Sequence, residues 1–398
     1  MKKIIFIGIV FVVISFFIIE YKTDKKDTNV IKEAKIEEKE YRAIYISYIE
    51  YPSILKTNDL DIRKNNIDAM IDNIKESNFN TLIIQVRPFS DAIYNSDIFP
   101  SSSTVVDNEG DELGFDILEY IIKKAHKKNL YVFAWINPYR VRNNIDTESI
   151  SKFNPAYKWL NTNLVKEVEN LGIFYNPSEK EVEDLVIGGV EEVARYKPDG
   201  ILFDDYFYPT DDIDSVNYNE YIKDNPNTSL KQYHLDIINH MVKRSYKSIK
   251  KIDKNILFGI SPEGNIDNNY DRNYADIKTW LKEDNYIDFI MPQIYYGFNH
   301  DKLPFSDTLN TWNDLITNNV SLIPTLALYK SGEEDTFAGT GHREWIENSD
   351  IIKKQIDTSK DCSNYGGYAV YRYDYYVNPG KYNNNTIEEV NMLKGDIN

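Results

Sequence analysis

This 398-residue chain has one cysteine, five histidines and no stretch rich in lysine and arginine. With Cys362 alone an internal disulfide is excluded, and so is a cysteine cluster holding a metal. Of the histidines, His126, His234 and His240 sit in helical patterns remote from strand ends, and no pair has a recognised ligand spacing, so no metal is expected. No Gly-x-Ser-x-Gly elbow occurs, and the stretch Lys330-Ser331-Gly332-Glu333-Glu334-Asp335 is acidic where a phosphate-gripping loop would be rich in glycine. No cofactor is expected. Against 63 Asp plus Glu stand only 46 Lys plus Arg, and the net charge of -17 would repel a nucleic-acid backbone.

The N-terminus differs from the rest of the chain. Lys2 and Lys3 precede an apolar run from Ile4 to Ile19, followed by a Lys/Glu-rich segment to about residue 40. This pattern is a targeting segment. No small-x-small cleavage site follows, and no cysteine there can accept a lipid, which favours an uncleaved membrane anchor over a cleaved signal. The run is just short of the ~17 to 25 residues of a comfortable span. Residues 1–40 are thus expected as signal or anchor plus linker, and residues 41–398 as a monomeric extracytoplasmic domain.

Within that domain, β-branched and aromatic runs alternate with helical patterns. Strands are predicted at 42–48, 81–86, 131–136, 200–203, 256–260, 287–291, 322–328 and 368–371. Between them, apolar residues such as Ile67, Met70, Ile71 and Ile74, or Leu118, Ile121, Ile122 and Ala125, share one helical face. Eight strands alternating with helices predict an α/β fold, a (β/α)8 TIM barrel. A doubly wound sheet is the runner-up, but its Gly-rich first turn is missing. Long connections follow the strands and short ones precede them, so the long loops gather at one end.

At that end the segment Asp199-Gly200-Ile201-Leu202-Phe203-Asp204-Asp205-Tyr206 passes from a buried apolar run to paired carboxylates. Glycosidic hydrolysis needs two carboxyl groups, one to protonate the leaving oxygen and one to act as nucleophile or to activate water. Asp204 and Asp205 end the fourth strand, and Glu263 follows the fifth. Aspartates at strand ends also cap helices and close turns, a role that fits Asp205 better than Asp204. Other strand ends carry polar and aromatic residues expected to bind a polar ligand with flat apolar faces: Arg87, Trp135, Asn137, Tyr139, Arg140, Tyr206, Gln293, Tyr295, Tyr296, Arg372 and Asp374. Any single aromatic among them could equally be rim packing.

The ordered motifs Gln85-Val86-Arg87-Pro88, Ala134-Trp135-Ile136-Asn137-Pro138-Tyr139-Arg140, Asp204-Asp205-Tyr206-Phe207-Tyr208-Pro209, Gly259-Ile260-Ser261-Pro262 and Met291-Pro292-Gln293-Ile294-Tyr295 resemble the glycosyl hydrolase-like 10 family over residues 41–380. The resemblance implies a TIM-barrel, glycosidase-like protein of bacterial envelopes, similar to the α-amylase group. There, an Asp after the fourth strand is nucleophile and a Glu after the fifth is acid/base. Asp204 matches the former, and Glu263 is the nearest carboxylate to the latter. The family's usual residue after the strand-five Ser-Pro is Phe, so Asp205 and Asp374 stand as alternative acids.

The expected function is therefore hydrolysis of an envelope or extracellular polysaccharide, with Asp204 as nucleophile or base and Glu263 as acid. The alternative is a non-catalytic carbohydrate-binding barrel that keeps the cleft without the chemistry. Peptidoglycan deacylation is disfavoured by the missing metal ligands.

Overall fold

Side-chain alternation with period two organises the sheet. The structure, a computed structural model, describes residues 39–205 and 207–395. Its strands are β1 (Tyr41–Ile46), β2 (Thr81–Arg87), β3 (Tyr131–Ile136), β4 (Arg140–Arg142), β5 (Val165–Val168) and β6 (Gly172–Tyr175). Then come β7 (Gly200–Phe203), β8 (Leu257–Ile260), β9 (Phe289–Ile290), β10 (Ser321–Leu322), β11 (Thr325–Ala327) and β12 (Gly367–Tyr371). Nine of these form one sheet in the order β10-β9-β8-β7-β3-β2-β1-β12-β11, every neighbour parallel.

The two ends of that order, β10 and β11, are consecutive pieces of one segment separated by Ile323 and Pro324. Ile323 N donates to Ile290 O at 2.9 Å on one side, and Pro324 O accepts from Ala369 N at 3.0 Å on the other. The sheet is thus curled until its ends meet in this segment. Proline has no N–H for a ladder, which accounts for the interruption.

Curling separates the strand residues into two cores. Tyr41, Ala43, Tyr45, Ile83, Phe133, Trp135, Leu202, Phe289, Met291, Ile323 and Ala369 point inward and pack on one another. Their alternates, among them Ile44, Ile46, Ile84, Val132, Ala134, Ile201, Phe203, Phe258 and Ile260, point outward into a larger core shared with the helices. Two inward positions hold glycine because the interior is crowded. A Cβ on Gly200 would come within 2.8 Å of the Phe133 ring, and one on Gly259 within 2.2 Å of Phe289.

The helical faces expected from the sequence are buried against the outward residues: Ile67, Met70, Ile71 and Ile74 on the helix Leu60–Glu76, and Leu118, Ile121, Ile122 and Ala125 on Ile117–Lys127. Asp59 and Asp116 cap these helices by accepting from backbone amides of the first turn. The long connection after β3 is not plain loop. It folds back as a three-stranded antiparallel sheet, β4-β6-β5, whose strands of three or four residues are too short to register as a period. Among the described residues no helix is long and apolar enough to cross a membrane. The expected anchor lies outside the described residues.

Overpacking a filled interior costs about 1 to 3 kcal/mol. Gly259→Ala should therefore lower the urea midpoint measurably, whereas Gly380→Ala, with nothing within 4 Å of the new methyl, should leave it unchanged. Equal midpoints would contradict the crowded interior.

Candidate active site

Inward parity continues past the strand ends, and there the residues become polar. Ser47, Gln85, Asp204, Ser261, Gln293 and Tyr371 each fall on the inward register of their strand, and all line one cavity of about 300 Å3. Tyr45, Trp135, Arg140, Asp205, Tyr295 and Tyr329 complete most of its wall. The aromatic rings meet edge on or tilted: Tyr45 with Trp135 at 5.4 Å, Tyr295 with Tyr329 at 5.7 Å, and Tyr371 with Tyr45 at 5.7 Å between ring centres. Such contacts brace flat apolar faces against each other without closing the space between them.

The carboxylates sit on the floor. Asp204 is buried and accepts a hydrogen bond from Trp135 Nε1 at 3.1 Å. Asp205 is half-buried, and its pKa is pushed up to about 6, first by burial and then by the negative charge of Glu263. Its own backbone amide, Arg140 and a hydrogen bond from Gln293 offset part of that rise. Glu263 is turned toward its own loop: its Oε1 accepts from Asn268 Nδ2 at 2.6 Å, and its amide donates to Asn269 Oδ1 at 3.1 Å. It acts on the cavity through its charge, since it is not among the residues lining the wall.

Supporting bonds hold this floor. Tyr45 Oη donates to Ser261 Oγ at 3.1 Å, and burial pushes its pKa up to about 12, so the phenol keeps its proton. Gln85 Oε1 accepts the Tyr48 amide at 3.1 Å, and Gln293 Nε2 donates to Ser261 O at 3.0 Å. Beyond Asp205 the chain is pinned to the helix Leu230–Ile252. There Tyr208 Oη and His234 Nε2 lie 3.0 and 2.9 Å from the two oxygens of buried Asp214.

Of the expected site residues, the structure gathers Asp204, Asp205, Trp135, Arg140, Gln293 and Tyr295 in the cavity. Arg87 is elsewhere for a clear reason. The register of β2 against β3 shifts between Gln85 and Arg87, so Gln85 pairs with inward Trp135 while Arg87 pairs with outward Ile136. Its guanidinium stacks 3.7 Å from the Phe99 ring centre, and Gly189 leaves the space that it fills. Tyr139 is fully buried in the outer core. Asn137 is buried too, and its Oδ1 takes the Arg140 amide at 3.4 Å, so it shapes the turn that returns Arg140 to the cavity.

Tyr296 packs edge on against His300, and Arg372 forms an ion pair with buried Glu50, which in turn holds Ser47 N and Oγ. Asp374 bonds Asn378, Lys381 and Tyr382 in its own local turn. Tyr206 lies outside the described residues. Tyr45, Ser47, Gln85, Ser261, Tyr329 and Tyr371 also line the cavity and are not among the expected site residues, although extending the inward register of each strand by two residues finds most of them. Among the described residues no group of three or more His, Cys, Asp or Glu is placed to hold a metal.

A model of the family described as Glycosyl hydrolase-like 10 matches residues 40–338. The chain belongs to this family. It is 31% identical over 319 residues to glycosyl hydrolase YngK of Bacillus subtilis (strain 168), covering 74% of this chain and 61% of that protein. It is 28% identical over 341 residues to glycosyl hydrolase DigH of Escherichia coli (strain K12), covering 78% and 75%. The chain therefore spans about 61% of the length of its Bacillus relative. Its fold is similar to the PgaB (BpsB) glycoside hydrolase domain from Bordetella bronchiseptica, with TM-score 0.54 and 11% identity over 89% of this chain and 99% of that one. Membership of a glycosyl hydrolase-like family supports a glycosidase-like function, and the similarity to the solved domain extends to the fold.

A carboxyl whose folded pKa exceeds its unfolded value of about 3.9 loses stability as pH rises between the two, because the unfolded chain releases the proton first. For Asp205 that window runs from about 4 to about 6. Asp205→Asn should accordingly raise the thermal midpoint at pH 7 and change it little at pH 4. A midpoint unchanged or lowered at pH 7 would contradict the buried-charge account.

Proposed function

We propose that this protein is a glycoside hydrolase that cuts O-glycosidic bonds of an envelope or extracellular polysaccharide, working on a closed (β/α)8 barrel in which β10 and β11 count as one interrupted strand. The observation that carries this reading is the pair Asp204 and Asp205 in an aromatic-walled cavity at the C-terminal ends of the parallel strands, where barrels of this class place their chemistry. Asp205 fits the acid: burial and the charge of Glu263 favour its protonated form, as a proton donor to the departing oxygen requires. Asp204, which accepts a hydrogen bond from Trp135 Nε1, fits the partner carboxylate. It attacks the anomeric carbon or draws a proton from the water that does so.

Glu263, the acid expected from its position after β8, then has a different task. Its charge adds to burial in raising the Asp205 pKa. The tyrosines and Trp135 offer faces to sugar C–H groups, while Gln293, Ser47 and Arg140 offer hydrogen bonds to hydroxyls. The apolar run Ile4–Ile19 would carry the enzyme to the outside of the cytoplasmic membrane.

Release of reducing ends from a panel of cell-wall and extracellular glycans tests the reading. Asp204→Asn should lower turnover by at least ~10^2-fold, within the range of a lost acid or base. Unchanged turnover would sink the assignment, and binding without cleavage by the native protein would favour a carbohydrate-binding module.

A second test uses pH. Activity dependent on protonated Asp205 should fall as pH rises through about 6. Glu263→Gln removes a repelling charge, eases ionisation of Asp205 and should move that limb to lower pH. A limb that stays in place or moves upward would remove Glu263 from this role.

A further inference from the structure

A second cavity, of about 460 Å3, lies apart from the one that holds the aspartates. It lies between the connection after β2 and the residue Phe153 in the connection after β3, two loops that leave the same edge of the sheet as Asp204. Phe153 is 66% exposed, which leaves unused most of the ~1.5 to 3 kcal/mol that burying such a ring provides. Its backbone is nevertheless held firmly. The next residue, Asn154, is fully buried, with Nδ2 donating to Ser90 O and to Glu109 Oε1, each at 2.7 Å. Glu109 in turn pairs with Arg142 at 2.5 Å, and the Phe153 amide donates to Ser151 Oγ at 3.2 Å.

Carboxylates share the cavity with the ring. Asp97 and Glu112 line the same cavity, are exposed, and their carboxylates have no hydrogen bond or ion pair among the described residues. Gly110 sits at the ring edge with φ +94°, where a Cβ would meet Phe153 Cδ2 at 3.4 Å. Lys152 Nζ lies 5.3 Å above the ring centre, and the residue as a whole is 66% exposed.

We infer that this cavity is a second sugar-binding site, taking an uncharged hexose or N-acetylhexosamine unit of the polymer. An exposed ring on a fixed backbone presents a negative π face to the positively polarised C–H groups of a pyranose. Carboxylates in the same cavity accept hydrogen bonds from hydroxyls and disfavour an anionic sugar. Because Asn154 holds the backbone in place beforehand, little ordering cost is left for binding. The inference rests on the polysaccharide reading above, and it extends that reading from one cleft to a chain held at two points.

Native affinity electrophoresis of the full chain, in gels carrying glycol chitin, barley β-glucan or polygalacturonate, tests the site. At least one neutral polymer should retard the protein, Phe153→Ala should lose at least half of that retardation, and Phe153→Trp should keep it. Retardation equal in Phe153→Ala and native protein, absent with both neutral polymers, or strongest with polygalacturonate would overturn the site. Asp204→Asn separates this outcome from the catalytic reading, since it should abolish cleavage while leaving retardation intact. Phe153→Ala should raise KM for long chains several-fold and leave kcat on short oligosaccharides unchanged.

Discussion

A parallel sheet that curls back on itself must fill a narrow interior with side chains from alternate positions, and the cavity is the consequence of where that filling stops. Phe133, Leu202, Phe289 and Met291 occupy the middle, and Gly200 and Gly259 make room for the rings. One pleat further toward the strands' C-terminal ends the same register carries Asp204, Ser261 and Gln293. The apolar interior lies beneath, and the polar layer that carries the carboxylates lines the cavity above it. Burial of the floor is thus also what perturbs Asp205.

Trp135 couples these two properties. Its ring packs on Tyr45 as part of the inner core, while its Nε1 bonds Asp204. An indole has one donor and no competing acceptor, so a buried one needs a fixed partner. The hydrogen bond therefore holds the ring and the carboxylate to each other. Glu263 raises the pKa of the adjacent Asp205 from outside the cavity wall, because in a partly desolvated site a neighbouring charge acts beyond contact distance.

The loops above the sheet are braced by buried polar contacts in addition to apolar packing into the outer core. Arg142 pairs with Glu109, Asn154 ties Glu109 to Ser90, and Tyr208, Asp214 and His234 pin the chain leaving Asp205. Removing one partner of a buried pair leaves an uncompensated charge, typically at about 3 to 5 kcal/mol. These contacts therefore fix loop positions more than they add net stability, and they let an aromatic residue such as Phe153 stay exposed without becoming mobile.

Strand positions, helical faces and the carboxylates at the β7 end were all legible in the sequence, because each depends on local alternation, on 3.6-residue periodicity or on a run of adjacent residues. The inward register was legible as well, and it points to Gln85 and Ser261. Three features lay beyond it. The irregularity between Gln85 and Arg87 exists only relative to β3, so the outward turn of Arg87 cannot be read from β2 alone. The small sheet β4-β6-β5 is made of pairings between strands too short to carry a period. The turn of Glu263 toward Asn268, and the nearness of its charge to Asp205, follow from the packing of neighbouring strand ends. Local chemistry determined which polar residues stand at the strand ends; long-range register and burial decided which of them face the cavity and which carboxyl has its pKa raised.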